Sequence, residues 1–254
     1  MSITKPTFVV VTGVAHTPAH TQSLVESLNT KGYFTEPVAH PTIGPLAASA
    51  PPNADAANLR KILENLIINQ QKDVVLLCHA YGGMVGSQSV NGLERSARAK
   101  AGRKGGIVKV VFITALLPQE GESMLQIFGE TGMEPREWLD MDSVTGTFSA
   151  NSLAADTLYH DLPHDQAQYW ASKLEPMSGH AGISPATDVC WSADVPKVYI
   201  FCKTDRVFSL GEQRRMLERV QGDQTDDWET YEMDCGHSPI LSHVEELTEI
   251  LTKE

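Results

Sequence analysis

The sequence predicts an α/β protein: a doubly wound, mostly parallel sheet with helices on both faces and an inserted helical cap. Three observations carry this prediction. Short β-branched runs are apolar on both faces, helical patterns alternate with them, and one long stretch breaks the rhythm. The strong runs lie at 8–12, 74–78, 108–115 and 198–202, with weaker candidates at 33–38 and 230–233. A strand apolar on both faces must be covered on both, which is the situation of a parallel sheet between two helix layers. Between these runs, residues 20–30, 55–70, 82–98, 209–221 and 241–252 carry helical spacing.

The stretch 121–189 holds no convincing strand. It is rich in large apolar residues, among them Met124, Phe128, Met133, Trp138, Tyr159 and Trp170, and Pro163 opens a helical run through Lys173. It predicts a cap over a core formed by 1–120 and 190–254. Met124, Trp138 and Trp170 are candidates to line an apolar pocket, although helix packing asks for the same residue types.

Composition narrows the partners. The chain has 254 residues, 41% of them hydrophobic, enough for one sizeable core. A net charge of −12 repels phosphate backbones and anionic lipid, which argues against nucleic acid or membrane partners. No run approaches the roughly 18 apolar residues of a membrane span, and the apolar run after Phe8 is too short for a signal-peptide core. Cys78, Cys190, Cys202 and Cys235 are scattered without metal-type pairs, and read as buried reduced thiols of a cytoplasmic protein.

The most informative stretch is 74–86, VVLLCHAYGGMVG. A buried strand runs into a helix through a tight turn, and Gly82, Gly83 and Gly86 let that helix start close to the strand. A side chain at the apex, Ala80, stands at a helix N-terminus, where N–H groups favour developing negative charge. This resembles the nucleophile elbow of the α/β-hydrolases, G-x-S-x-G, with Cys78 for the first glycine and Ala80 for the serine. Cysteine is small enough to be tolerated. A methyl group cannot attack a carbonyl.

The resemblance implies a base and an acid in the chain order Ser, Asp, His. Asp205 follows the strand-like run 198–202, and His237 follows Gly236 between the last strand and the last helix. Glu120 and Glu122 are weaker rivals for the acid. The loop after the first strand, TGVAHTPAH from Thr12, is similar to the family's His-Gly-x oxyanion loop, with Thr12 for the usual histidine. It implies backbone donors at Val14 and Tyr81, worth roughly 3–4 kcal/mol each in a preorganised site. His16 and His20, in the same loop, are candidate substrate contacts.

These motifs span nearly the whole chain and are similar to the compact branch that includes plant methyl esterases and hydroxynitrile lyases, in its microbial form. The sequence LYHDLP from Leu158 and the pair Cys190-Trp191 fit that form. The lyases carry threonine where Gly13 stands and lysine where Ser238 stands, which argues against cyanohydrin chemistry. The resemblance therefore implies a serine-type carboxylic ester or lactone hydrolase for a hydrophobic small molecule, needing no metal or organic cofactor. Ala80 would leave it nearly inactive. Either the alanine is an engineered Ser→Ala change, which the intact partner residues favour, or the chain is a natural ligand-binding pseudo-hydrolase. A triad-fold lyase or cyclase is the remaining alternative.

Overall fold

The structure, a computed structural model, describes residues 5–131, 137–222 and 228–253; Met133 lies outside them. Six parallel strands form the main sheet: β1 (Thr7–Val11), β2 (Thr35–Val38), β3 (Asp73–His79), β4 (Gly106–Ile113), β8 (Lys197–Cys202) and β9 (Trp228–Met233), in the order β2-β1-β3-β4-β8-β9. Every pairing in it is parallel. The expected strands are all present, within a few residues at each end.

Both faces of the central strands are buried. Val9, Val11, Leu76, Cys78, Val110 and Phe112 pack on one side. Phe8, Val10, Leu77, Val111 and Ile113 alternate with them and pack on the other, against helices α1 (Gln22–Thr30) and α11 (Val244–Thr252). This period-2 alternation with no polar face is why these runs could only be central strands. All four cysteines are buried and free. Among the described residues, no helix is long and apolar enough to cross a membrane.

Helix α2 (Ala54–Glu64) continues into a π-helical turn, Asn65–Asn69, as the expected segment 55–70. The helix expected over 82–98 is instead two, α3 (Gly82–Ser87) and α4 (Arg95–Lys100). The Ser87, Gln88 and Ser89 side chains turn back onto the Met84 and Val85 carbonyls. Asn91-Gly92 then makes a turn in which Gly92 has φ +81°. Side-chain competition for helix carbonyls and an Asn-Gly step end the helix together.

Between β4 and β8 the chain is not purely helical. Beside α5 (Met124–Thr131), α6 (Ala154–Leu158), α7 (His164–Ala171) and α8 (His180–Ile183) it holds a small antiparallel sheet of β5 (Leu139–Asp142), β6 (Thr147–Ala150) and β7 (Met177–Ser178). The expectation of no strand in 121–189 is corrected here. The β5–β6 hairpin is mostly solvent-facing, so it lacks the apolar alternation that marks a strand. Its signal is in the turn. The Asp142 carboxylate accepts from Val144 N–H at 2.8 Å, and Gly146 takes φ +67°. Helix α7 begins just after Pro163, as expected.

The remaining helices are α9 (Leu210–Gln221), opened by a Ser209–Glu212 capping box, and α10 (Pro239–Ser242). The chain runs from β1 outward to β2, then crosses back to β3 on the other side of β1. That reversal leaves a crevice at the carboxyl ends of β1 and β3, where ligands of open α/β sheets gather.

Candidate active site

The turn after β3 is built as the sequence implies. Ala80 has φ +51°, a left-handed backbone that non-glycine residues adopt at a cost of order 1–3 kcal/mol. The turn is locked from outside: Ala80 N–H donates to Ile113 O at 3.1 Å, and Leu116 N–H donates to Ala80 O at 2.9 Å. The close approach of helix to strand requires glycine. A Cβ on Gly82 would sit 2.3 Å from Val11 O, and one on Gly86 would sit 2.2 Å from Cys78 Sγ.

Asp205 and His237 meet. His237 Nδ1 lies 2.8 Å from Asp205 Oδ2, and both side chains are buried. The same oxygen accepts from Thr114 Oγ1 at 2.5 Å, while Oδ1 accepts from Val207 N–H at 2.6 Å and Phe208 N–H at 3.1 Å. Burial by itself would push this carboxyl up. The His237 ring and the bonds from His237, Thr114 and Val207 outweigh it and hold Asp205 below the ordinary carboxylate range. A carboxylate must accept, so the His237 proton sits on Nδ1 and Nε2 is left as the basic nitrogen. Glu120 and Glu122 stand elsewhere: Glu120 accepts from the Asp188 and Val189 N–H groups, and Glu122 pairs with Arg219.

His237 and Ala80 line one narrow cavity, of about 30 Å³. Val14, His16, Tyr81, Met124 and Trp138 line it too. Leu116, Phe128, Leu139, Leu158, Val207 and Phe208 complete a mostly apolar wall. His20 and Trp170 do not reach it. They lie one layer behind, where the His20 ring packs 4.7 Å from His16 and 5.4 Å from Trp170. Proximity in sequence to His16 suggested a contact that the packing gives to a supporting role. The Tyr81 and Val14 N–H groups donate to no backbone carbonyl among the described residues.

Two buried networks support this floor. Asp55 accepts from Thr42 N–H at 3.0 Å, from Thr42 Oγ1 at 2.5 Å and from the Tyr81 hydroxyl at 3.0 Å. Burial and the Asp55 charge push the Tyr81 phenol well up, so it stays a neutral donor. Sequence reading missed Asp55, whose only signal was an acidic residue in the first turn of a helix. Tyr81→Phe strips the buried carboxylate of one donor and is expected to cost about 1–3 kcal/mol of stability in urea unfolding.

The second network is histidine. His79 Nε2 donates to His237 O at 2.7 Å, and its ring lies 4.9 Å from that of His237. Burial lowers the pKa of His16 well below its ordinary value, with His20 and His79 beside it. Burial also lowers His20, and lowers His79 to about 3, aided by His237. These rings fold neutral, whereas the unfolded chain protonates them near pH 6.5. Their stability contribution is complete above that pH and is lost as pH falls toward the folded values, at up to about 1.4 kcal/mol per pH unit per proton. Thermal melts should show the unfolding midpoint dropping between pH 7 and pH 5. A flat midpoint over that interval would contradict the assignment, and His79→Gln should shallow the slope.

Elements from five strand ends thus converge: Val14 after β1, Ala80 after β3, Thr114 after β4, Asp205 after β8 and His237 after β9. A doubly wound sheet that brings a strained strand–helix turn and an imidazole–carboxylate pair to one apolar cavity is the architecture of the hydrolases built on this fold. The chain belongs to the alpha/beta hydrolase family, whose model matches residues 13–250. A probable hydrolase from Phoma sp. (strain ATCC 20986 / MF5453) is 27% identical over 259 residues, covering 99% of this chain and 98% of that protein. Among solved structures, polyneuridine aldehyde esterase superposes with a TM-score of 0.74 at 20% identity, covering 97% of this chain and 98% of its own. Tomato methylketone synthase I, solved with 2-tridecanone, gives 0.74 at 18% identity, covering 98% and 97%. At these identities the likeness is one of fold.

Proposed function

We propose that this chain carries the machinery of a serine-type carboxylic ester or lactone hydrolase, without its nucleophile, and that it binds a hydrophobic small molecule with a carbonyl group over Ala80. The observation that carries this reading is the Asp205–His237 contact of 2.8 Å, with the imidazole and the Ala80 methyl on the same cavity wall. The apolar lining suits an apolar acyl or alcohol part. The tomato neighbour's long ketone and the other neighbour's esterase name agree with such a ligand.

With serine at position 80, His237 would take the hydroxyl proton as the oxygen attacks the carbonyl. Asp205 would hold the tautomer and stabilise the imidazolium, and the Tyr81 and Val14 N–H groups would bind the oxyanion. The imidazolium would give that proton to the leaving alkoxide as the ester C–O bond breaks, and water deprotonated by the same imidazole would then release the acid from the acyl-enzyme. As the chain stands, binding persists and acyl transfer does not, whatever the origin of the alanine. The deciding experiment is Ala80→Ser assayed on a panel of aryl esters and lactones. No gain on any member of the panel sinks this reading.

A second reading has its own observation. The Asp205 hydrogen-bond set is complete without the serine, and His237 Nε2 has no protein partner among the described residues. Such a base can move a proton on a bound carbonyl compound without an acyl-enzyme, as a lyase or cyclase requires. Turnover by the unaltered chain with no released acid, abolished by His237→Ala, would favour it.

A further inference from the structure

Residues 158–161, Leu-Tyr-His-Asp, belong to the insertion yet touch two separate loops of the site. Leu158 lines the cavity. The Tyr159 hydroxyl is 2.9 Å from His16 Nε2, and His16 Nδ1 is 2.7 Å from Val14 O. A carbonyl only accepts, so Nδ1 bears the His16 proton and Nε2 accepts from Tyr159. Two residues on, Asp161 Oδ2 accepts from Gly236 N–H at 2.7 Å and from Ser242 Oγ at 2.7 Å, and lies 3.5 Å from His243 Nδ1.

Gly236 directly precedes His237, and Ser242 ends helix α10 just after it. One carboxylate from outside the sheet therefore grips the chain on both sides of the imidazole. The grip is close. A Cβ on Gly236 would sit 2.7 Å from His160 Cε1 and 2.9 Å from both Asp161 Cγ and Oδ1. The loop between β9 and α10 is also anchored by Thr204 N–H to Cys235 O at 3.1 Å, by His79 Nε2 to His237 O at 2.7 Å and by the Lys203–Asp234 pair at 3.6 Å. Gly236 N–H is the loop's backbone donor to a carboxylate, and charge-assisted bonds are the stronger kind.

We propose that Asp161 is a positioning residue for His237: by fixing Gly236 and Ser242 it holds the imidazole against Asp205, so that seating the insertion and assembling the His237–Asp205 pair are one event. Tyr159, on the same segment, ties the Val14 loop to that event through His16. Supporting contacts of this sort select one orientation of a ring among those its loop could adopt. The inference rests on His237–Asp205 being the working pair, but not on the chain hydrolysing anything.

The test uses the chain with Ala80 in place. A His237 Nδ1 proton in a short bond to a carboxylate gives a far-downfield proton NMR resonance whose exchange with water reports opening of the pair. It is followed in the parent, D161A, D161N and G236A, each checked for folding by circular dichroism. D161N keeps an acceptor oxygen for Gly236 N–H and is expected to keep the resonance. D161A loses the acceptor and G236A forces it away. Both should lose the resonance or exchange it at least about tenfold faster. An unchanged resonance in folded D161A or G236A overturns the proposal, as does an equal loss in D161N, which would assign the effect to charge alone. If D161A does not fold, G236A, which retains the carboxylate, decides. A failed Ala80→Ser assay would sink the hydrolase reading and leave this result standing.

Discussion

Ala80→Ser is expected to raise kcat for a suitable aryl ester or lactone by about 10⁴ to 10⁶. Removing a triad nucleophile costs about 10⁶ in kcat in the best-studied serine hydrolase, while binding and oxyanion stabilisation alone retain about 10³ to 10⁴ over water. The lower figure applies if the restored hydroxyl is imperfectly aimed. The site is prepared for that hydroxyl. Ala80 already holds the left-handed backbone of the elbow, with φ +51°. Gly13, whose added Cβ would lie 3.0 Å from the Ala80 Cβ, keeps the space beside position 80 open. The measurement is initial rates with burst-phase kinetics, since an acyl-enzyme should accumulate before water resolves it. Binding of an uncleaved ester to the parent chain, by calorimetry, should change little, because the substitution adds one oxygen. A rate gain without a matching change in affinity would mark the effect as one on the transition state.

In the Ala80→Ser background, Asp205→Asn is expected to lower kcat about 10⁴-fold, with KM little altered. The carboxylate accepts on both oxygens: His237 and Thr114 on Oδ2, Val207 and Phe208 N–H on Oδ1. An amide must present its NH₂ to one of those sets. Aimed at His237, it would force the proton onto Nε2 and remove the base. Aimed at the backbone N–H groups, it would meet two donors with a donor. Either way the loss is in the chemistry. The carboxylate also sets a stability window. Its folded pKa lies below the unfolded value near 3.9, so its contribution is fully present above about pH 4 and disappears as pH falls through the depressed folded value. That loss adds to the histidine loss, which begins near pH 6.5 and for His79 runs down to about pH 3. A stability difference between the parent and Asp205→Asn that does not shrink below pH 4 would contradict it.

Much of this was legible in the residues because period-2 burial and tight turns are local signals. The central strands announce themselves through runs such as 74–78, apolar on both faces. The elbow does so through Gly82 and Gly86, whose positions leave no room for a Cβ against Val11 and Cys78. The β5–β6 hairpin was not legible, since a solvent-facing strand such as Leu139–Asp142 carries no apolar pattern and is marked only by its turn. Nor was Thr114, whose hydroxyl reaches Asp205 across 91 residues of sequence.

By itself the sequence determined the sheet, the chain order of Ala80, Asp205 and His237 and the alanine at the apex of the turn, because strand burial, turn geometry and residue identity depend on short stretches of chain. Only the tertiary structure decided which side chains share the cavity. It brought in His16 and Trp138, set His20 and Trp170 behind, and bound the segment between β4 and β8 to the His237 loop through Asp161. Those choices depend on distances between elements far apart in sequence. They are settled by close packing across the sheet's carboxyl edge, where a displacement of an ångström decides whether two groups bond or merely neighbour each other.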